Sequence, residues 1–320
     1  MSQPWLTVVV PTFNGAAYLP RALDSIAAEP DPGVSVIAVD DGSDDDTPAI
    51  LDRYRSRLNL DVVHNRTGSW VANTNLALQR ATGERACFLH QDDYWLPGRL
   101  EALRRQLAAT PGAALLLHAC RFVDRAERPL GSWRCPLPAY EPLPAADCVE
   151  RLLVQNFVGI PGATFRRDLA LAAGGLDESL WYTADWDLWL KLASTGPTVY
   201  IPRPLAAFRV HPESQTAARS HRLEDFRRQM EAIAERHLEP WPAPDPRTRA
   251  AVARVARACV EVNVGLAAAY HRQPVPWRRL AAAVASLRPS DWRRLLRDSR
   301  LWERVFARLR ARLAPTAVAP

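Results

Sequence analysis

Two adjacent carboxylates, Asp92 and Asp93, follow the apolar run that opens CFLHQDDYW at residues 87–95. Like charges a few ångströms apart raise the cost of ionising each other, so the pair requires either water or a cation. A second acidic cluster, DDGSDDDT at 40–47, also follows a β-rich run and opens a helix, which directs Asp40 and Asp41 beyond a strand end. Taken alone, that cluster also has the composition of a solvated turn and helix cap. Paired aspartates after a strand occur in phospho-acceptor receiver domains too, but those need a lysine ending a later strand. Lys191, the only lysine, lies inside a helical pattern, and that reading is set aside.

The elements that must position these residues alternate in the first hundred positions. Strand-like runs at 6–10, 34–39, 60–64 and 86–90 are separated by helical patterns at 16–28, 47–58 and 69–81. Thr47 is expected to be the N-cap of the second helix, with Pro48 at its first position. Pro97 opens a further helix to about Ala109, and 113–119 reads as another strand. Strands joined by helices of this length imply a parallel sheet with right-handed crossovers. Ligands of such sheets sit outside the carboxyl ends of the strands, where PTFNG, DDGSDDD and HQDD all fall. The proline-rich segment 121–161 is expected to form a long loop over the sheet, a type of segment that is often functional. Strand 162–165, a short helix, a Gly-Gly turn, a helix from about Asp185 to Ser194 and further strands follow, with only helices after residue 220.

A chain of 320 residues, 48% hydrophobic, can bury one large core or two smaller ones. Its start has no secretory pattern, and no stretch approaches the ~18–20 apolar residues of a membrane span. The five cysteines are far apart with no CxxC pair, which argues against zinc or a disulfide framework and for a reducing compartment. The expected location is cytoplasmic, with the inner face of the plasma membrane as an extension of that expectation. Residues 1–216 hold 20 Lys and Arg against 25 Asp and Glu, a net of −5; residues 217–320 hold 21 against 10, a net of +11. Regions of opposite sign suggest two jobs.

The ordered series TVVVPTFNGAAYLPRALDSI, VIAVDDGSDDDT, NLALQRATGERACFLHQDD, GGLDESL, DWDLWLKLA and FRVHPES, over residues 5–215, resembles the inverting nucleotide-sugar glycosyltransferases of family 2. The resemblance implies an α/β GT-A fold: a Rossmann-like, mostly parallel sheet flanked by helices, here with a C-terminal all-helical extension. It divides the chain into a catalytic domain, 1–215, and a helical, Arg-rich region, 216–320. Within the domain, 1–119 would bind the nucleotide sugar and 120–215 the acceptor.

The same resemblance assigns roles. Asp40 and Asp41 with Pro11, Thr12, Phe13 and Asn14 would form the base pocket, and Asn73, Gln91 and Asp92 would complete the nucleotide-sugar site. Asp92, Asp93 and His211 would hold Mn2+ or Mg2+, whose hard-oxygen preference suits a departing diphosphate. Arg209 and Ser214 are weaker candidates for phosphate contact. Asp185 would be the catalytic base, taking the acceptor proton as oxygen attacks opposite the leaving group. Asp187, two residues on, reads as a helix-start charge, and Trp181, Tyr182 and Trp186 as an acceptor platform or as core. Two positions depart from the family pattern: His90 replaces the first Asp of Asp-x-Asp, and Ala184 replaces a Glu before the base.

The expected partners are a nucleoside-diphosphate sugar, UDP- or dTDP-linked, and a saccharide or lipid-linked saccharide, as in bacterial surface polysaccharide synthesis. A non-catalytic nucleotide- or glycan-binding relative is the alternative. A nucleotidyltransferase is disfavoured because no Gly-rich phosphate loop follows the first strand. In 291–313, Trp292, Leu295, Leu296, Trp302, Val305, Phe306, Leu309 and Leu313 form an apolar stripe opposite arginines. Such a helix suits a membrane interface or a packed protein surface; without a recognised binding module, nucleic acid is not expected. Nothing in the sequence fixes the oligomeric state.

Overall fold

Val8, Val9 and Val10 are buried on both faces of the first strand, as strands in a helix-covered parallel sheet must be. The structure, a computed structural model, describes residues 3–211, 214–215 and 219–313, the side chains only as far as 310. Pro212 and Glu213 of FRVHPES and the Leu313 side chain lie outside the described residues. The chain opens with β1 (Leu6–Thr12), α1 (Leu19–Ala27), β2 (Val34–Asp40), α2 (Thr47–Tyr54), β3 (Leu60–His64), α3 (Trp70–Arg80) and β4 (Arg85–Phe88). The strands pair in parallel in the order β3-β2-β1-β4. Thr12 lies opposite Asp40, and Asp40 opposite His64, so the strand ends line up along one edge and their loops converge.

Then come β5 (Tyr94–Trp95), α4 (Arg99–Ala109), β6 (Leu115–Val123), β7 (Pro129–Trp133), α5 (Ala145–Val154), β8 (Ala163–Arg166), α6 (Arg167–Ala172), α7 (Ala184–Thr195) and β9 (Thr198–Arg209). They extend the sheet as β4-β8-β6-β9-β5, with β7 on β6; β6 and β9 are parallel, the other contacts antiparallel. This is the expected α/β arrangement, mostly parallel, with helices at 223–238, 246–270, 277–285, 289–298 and 301–313 after it. Among the described residues no helix is long and apolar enough to cross a membrane.

Two local expectations are corrected. Segment 121–161 is not one long loop: β7 folds back on β6, and α5 buries Cys148, Val149, Leu152 and Leu153. Its prolines flank these elements and masked the apolar spacing at 148–153. Thr47 is not the N-cap of α2 but its first residue, and its hydroxyl accepts the Gly15 N–H at 2.7 Å. It therefore ties the loop after β1 to α2.

The C-terminal helices pack into the same apolar core as the sheet, through Phe226, Met230, Ile233, Val252 and Val255. Asp187, fully buried, anchors them: it meets Lys191 at 2.7 Å, Arg236 at 2.9 Å and His237 at 2.8 Å. Burial works to raise its carboxyl, but these partners outweigh that and hold it well below the usual range. Its stabilisation is full above the ordinary carboxylate range near pH 4 and is lost as pH falls further. Replacing Asp187 with Ala leaves Lys191 without its 2.7 Å partner and removes the buried acceptor of Arg236 and His237, so a loss of about 3 kcal/mol and a matching fall in thermal unfolding midpoint are expected.

Candidate active site

The loops after β1 and β2 are laced to each other by side chains. Asn14, at φ 45°, donates its N–H to Ser43 Oγ at 2.9 Å, and its Oδ1 accepts the Asp44 N–H at 2.9 Å. Asp40, buried, accepts from Ser43 Oγ at 2.5 Å and lies 3.4 Å from His64 Nδ1. Asp41 Oδ1 accepts the N–H groups of Thr67 at 2.7 Å and Gly68 at 3.2 Å, drawing the loop after β3 alongside. Asn73, also buried, accepts from Asn65 at 2.8 Å beneath that loop. Between the loops lies an open cleft of about 540 Å³, lined by Asp40, Gly42, Ser43, His64, Asn65 and Arg66 among others. Gly42, at φ 76°, leaves room for Arg66, whose Cγ would lie 2.7 Å from an added Cβ. Phe13 stands out from the β1 loop at 51% exposed, its ring face available. Pro11 is buried within β1.

Gln91 joins this edge to the acidic pair. Its Oε1 accepts from Thr12 Oγ1 at 2.6 Å and Phe13 N–H at 2.8 Å, and its Nε2 donates to Phe13 O at 2.9 Å. Most of its hydrogen-bonding capacity is therefore spent on holding loops. Gln91→Ala removes three hydrogen bonds between these loops and is expected to cost about 1–3 kcal/mol of stability, read as a fall in thermal unfolding midpoint.

Asp92 and Asp93 part company at a tight turn, closed by the Asp93 N–H donating to His90 O at 3.0 Å. Asp92 meets His211 at 2.9 Å, Oδ2 to Nε2. Burial works to raise the Asp92 carboxyl, but the His211 contact and the nearby imidazoles outweigh it and hold it below the usual range. Asp93 instead turns inward, 2% exposed, and accepts the Arg209 N–H of β9 at 2.9 Å. Burial, then the Asp92 charge, push its carboxyl well above the usual range. Of the two aspartates expected to share a cation, Asp92 faces His211 and Asp93 faces the β9 backbone. Arg209 is unsuited to phosphate contact. It is buried and donates to the Asp92 and Asp124 carbonyls at 2.9 and 3.1 Å and to Glu127 at 3.2 Å.

What remains fits a dication shared with a ligand. The described residues hold no cluster of three or more His, Cys, Asp or Glu side chains suited to a metal. Mg2+ is commonly held by one or two protein groups plus substrate phosphates. Asp92 Oδ2 and His211 Nε2, hydrogen-bonded to each other at 2.9 Å, are adjacent oxygen and nitrogen donors that would hold such an ion once the proton between them is given up. Beside them, His90 Nε2 is buried with no hydrogen-bond partner. Burial lowers its basicity, against the pull of the Asp92 charge. The Trp70 ring stacks edge-on against it, centroids 5.2 Å apart, and donates from Nε1 to the Trp181 carbonyl at 3.0 Å. Trp70 thus links the acidic loop to the approach to α7.

Asp185 lies in the first turn of α7 and accepts from Asn156 Nδ2 at 3.0 Å. Burial lifts its carboxyl to about 6, against that hydrogen bond and backbone N–H groups. A carboxyl so tuned takes up a proton readily near neutral pH. The three aromatics divide. Trp186 is core, 3% exposed, with Nε1 donating to Leu152 O at 2.9 Å, which removes it from the acceptor platform. Trp181 donates to Asp225 at 2.6 Å, and Tyr182 packs on Phe226 with ring centroids 4.3 Å apart; both brace the helix at 223–238. Asn156, Trp70 and Arg66 escaped the sequence reading, since only folding brings 156 to 185 and 70 to 181.

Comparison with known proteins gives consistent results. The model of glycosyl transferase family 2 matches residues 7–170. An uncharacterised glycosyltransferase of Rickettsia typhi is 25% identical over 228 residues, 70% of this chain and 69% of its own. The poly(ribitol-phosphate) β-N-acetylglucosaminyltransferase TarS of Staphylococcus aureus is 39% identical over 92 residues, 28% of this chain and 16% of its own. The crystal structure of S. aureus TarS residues 1–349 with UDP-GlcNAc superposes at TM-score 0.67 and 20% identity, covering 95% of this chain and 91% of that one. The mannosyltransferase PcManGT of Pyrobaculum calidifontis, in complex with GDP-Man and Mn2+, superposes at TM-score 0.59 and 22% identity, covering 99% and 89%. These likenesses show a GT-A-type fold.

Proposed function

The chain belongs to glycosyl transferase family 2, and from that premise we propose that it performs a metal-dependent, inverting transfer of a sugar from a UDP- or dTDP-sugar to a hydroxyl of a saccharide or lipid-linked saccharide. The observation that carries this reading is the division of labour among the aspartates: Asp92 stays ionised beside His211, while burial raises Asp185 to about 6.

In this reading residues 1–119 receive the donor. The base enters the cleft between the Pro11–Asn14 loop, with Phe13 against its face, and the loops of Asp40, Asp41 and Arg66. Gln91 and Asn73 hold those loops. Asp92 and His211 hold Mn2+ or Mg2+, which supplies positive charge to the leaving diphosphate. His90 faces the same region with its Nε2 unpartnered. Residues 120–215 receive the acceptor, and Asp185, steadied by Asn156, accepts the proton of the attacking hydroxyl. Trp181 and Tyr182 shape that side from beneath, and 216–320 brace it. The binding of Mn2+ with GDP-Man by PcManGT and of UDP-GlcNAc by TarS supports a metal-assisted nucleotide-sugar donor. The acceptor assignment extends the family premise to surface polysaccharide synthesis.

Thermal unfolding against a panel of nucleoside diphosphates checks the donor class. UDP or dTDP with Mn2+ is expected to raise the midpoint by several degrees, and each component alone to raise it less. A panel in which a purine diphosphate stabilises most would overturn the pyrimidine assignment.

A further inference from the structure

We propose that the last two helices form a docking surface for an anionic lipid bilayer. On the helix Leu301–Leu313, Trp302, Phe306 and Leu309 fall at i, i+4 and i+7; on Pro289–Asp298, Trp292 and Leu296 fall at i and i+4. All five are between 41% and 60% exposed, although large apolar side chains in such stripes are ordinarily covered.

The opposite face explains why they point outward. Arg304 and Ala307 are buried, and the helix is fastened to the hairpin at β7. Glu303 accepts the Arg134 N–H at 2.9 Å, Arg300 donates to Arg134 O at 3.1 Å, and Arg310 donates to Leu130 O at 2.8 Å. The apolar stripe is thus fixed on the outside by polar contacts on the inside.

Charge selects the occupant. Residues 277–310 carry ten arginines against three carboxylates, and Trp, Phe and Leu among arginines match an interfacial helix on anionic lipid. A second feature on the same helix points the same way. A hollow of about 260 Å³ is lined by Arg247, Arg254, Arg288, Arg294, Thr248 and Ser290, among others. Arg254 pairs with Asp291 at 2.9 Å and Arg294 with Glu150; Arg247 and Arg288 are exposed and make no close salt bridge among the described residues, although Asp245 and Asp291 attract them from nearby. Four guanidinium groups and two hydroxyls against the single carboxylate of Asp291 line this hollow, a seat for a phosphate headgroup beside the helix that carries Trp292 and Leu296.

Vesicle co-sedimentation of the full chain tests this, independently of any sugar transfer. Vesicles of phosphatidylcholine mixed with phosphatidylglycerol are expected to bind the chain, phosphatidylcholine alone far less, and high salt to release it. Trp302→Ser, Phe306→Ser and Leu309→Ser combined should weaken binding roughly tenfold or more. Arg247→Glu with Arg288→Glu should weaken it comparably. All five side chains are exposed, so circular dichroism should match the unaltered chain. Absence of binding to the anionic vesicles, or full binding by the triple variant, overturns the proposal. So does a lipid-free dimer that the triple variant turns into a monomer, which would make a second copy the occupant. Stabilisation by inorganic phosphate without vesicle binding would assign the hollow to a soluble anion and also overturn it.

Discussion

Asp185→Asn is expected to lower kcat about a thousandfold, within the range of a lost general base, while donor affinity changes little. The amide keeps the shape and can still meet Asn156, but it cannot take a proton from the acceptor. The chain should remain folded, with an unfolding midpoint no lower than before. Burial raises this carboxyl to about 6, so the ionised form is disfavoured by the fold, and a neutral amide removes that cost. The active enzyme should lose kcat/KM as pH falls below about 6, where Asp185 takes up its proton, and the Asn variant should lack that limb. Retained turnover would displace Asp185 from the role of base. Donor binding without turnover in the unaltered chain would instead favour the non-catalytic alternative.

Asp92→Ala is the second large effect. It removes the ionised carboxylate of the acidic pair and leaves His211 without its 2.9 Å partner. Turnover should fall roughly a hundredfold or more, because the charge on the departing diphosphate would go uncompensated. The loss should appear in donor KM as well as in kcat, and added Mn2+ should restore little. Asp93→Asn should behave differently. Asp93 is buried against the Arg209 N–H, and its carboxyl is held well above the usual range, so an amide is a near match for its protonated form. Steady-state kinetics on the two variants separates the roles that adjacency in sequence had merged.

Much of this was legible in the sequence, for identifiable reasons. The alternation of β-branched runs with helical spacing gave the parallel half of the sheet, and the polar clusters fell at its carboxyl edge because parallel strands all end there. Asp187 reads as a helix-start charge, but it is fully buried, and its partners Arg236 and His237 lie on a helix some fifty positions on. What escaped were directions and long-range partners. Two consecutive aspartates look equivalent in a sequence, yet the turn from His90 to Asp93 faces one to His211 and the other to the β9 backbone. Trp186 sits next to the candidate base, but helix geometry turns it to Leu152 and away from the acceptor side. The family resemblance puts Gln91 in the nucleotide-sugar site; that its amide clasps the Phe13 backbone across the cleft rim needs the fold. The proline-rich segment 121–161 concealed α5, whose apolar positions are spaced for a helix but framed by residues that break one.

Calorimetric titration of UDP into the chain, with Mn2+ and again with a chelator, reaches the central claim most directly. The account expects tight binding with the ion, a fall of at least tenfold in affinity without it, and the same fall in Asp92→Ala and in His211→Ala with the ion present. UDP binding that is equally tight with the chelator, or unchanged in both variants, would contradict a dication held between this edge of the sheet and the donor diphosphate.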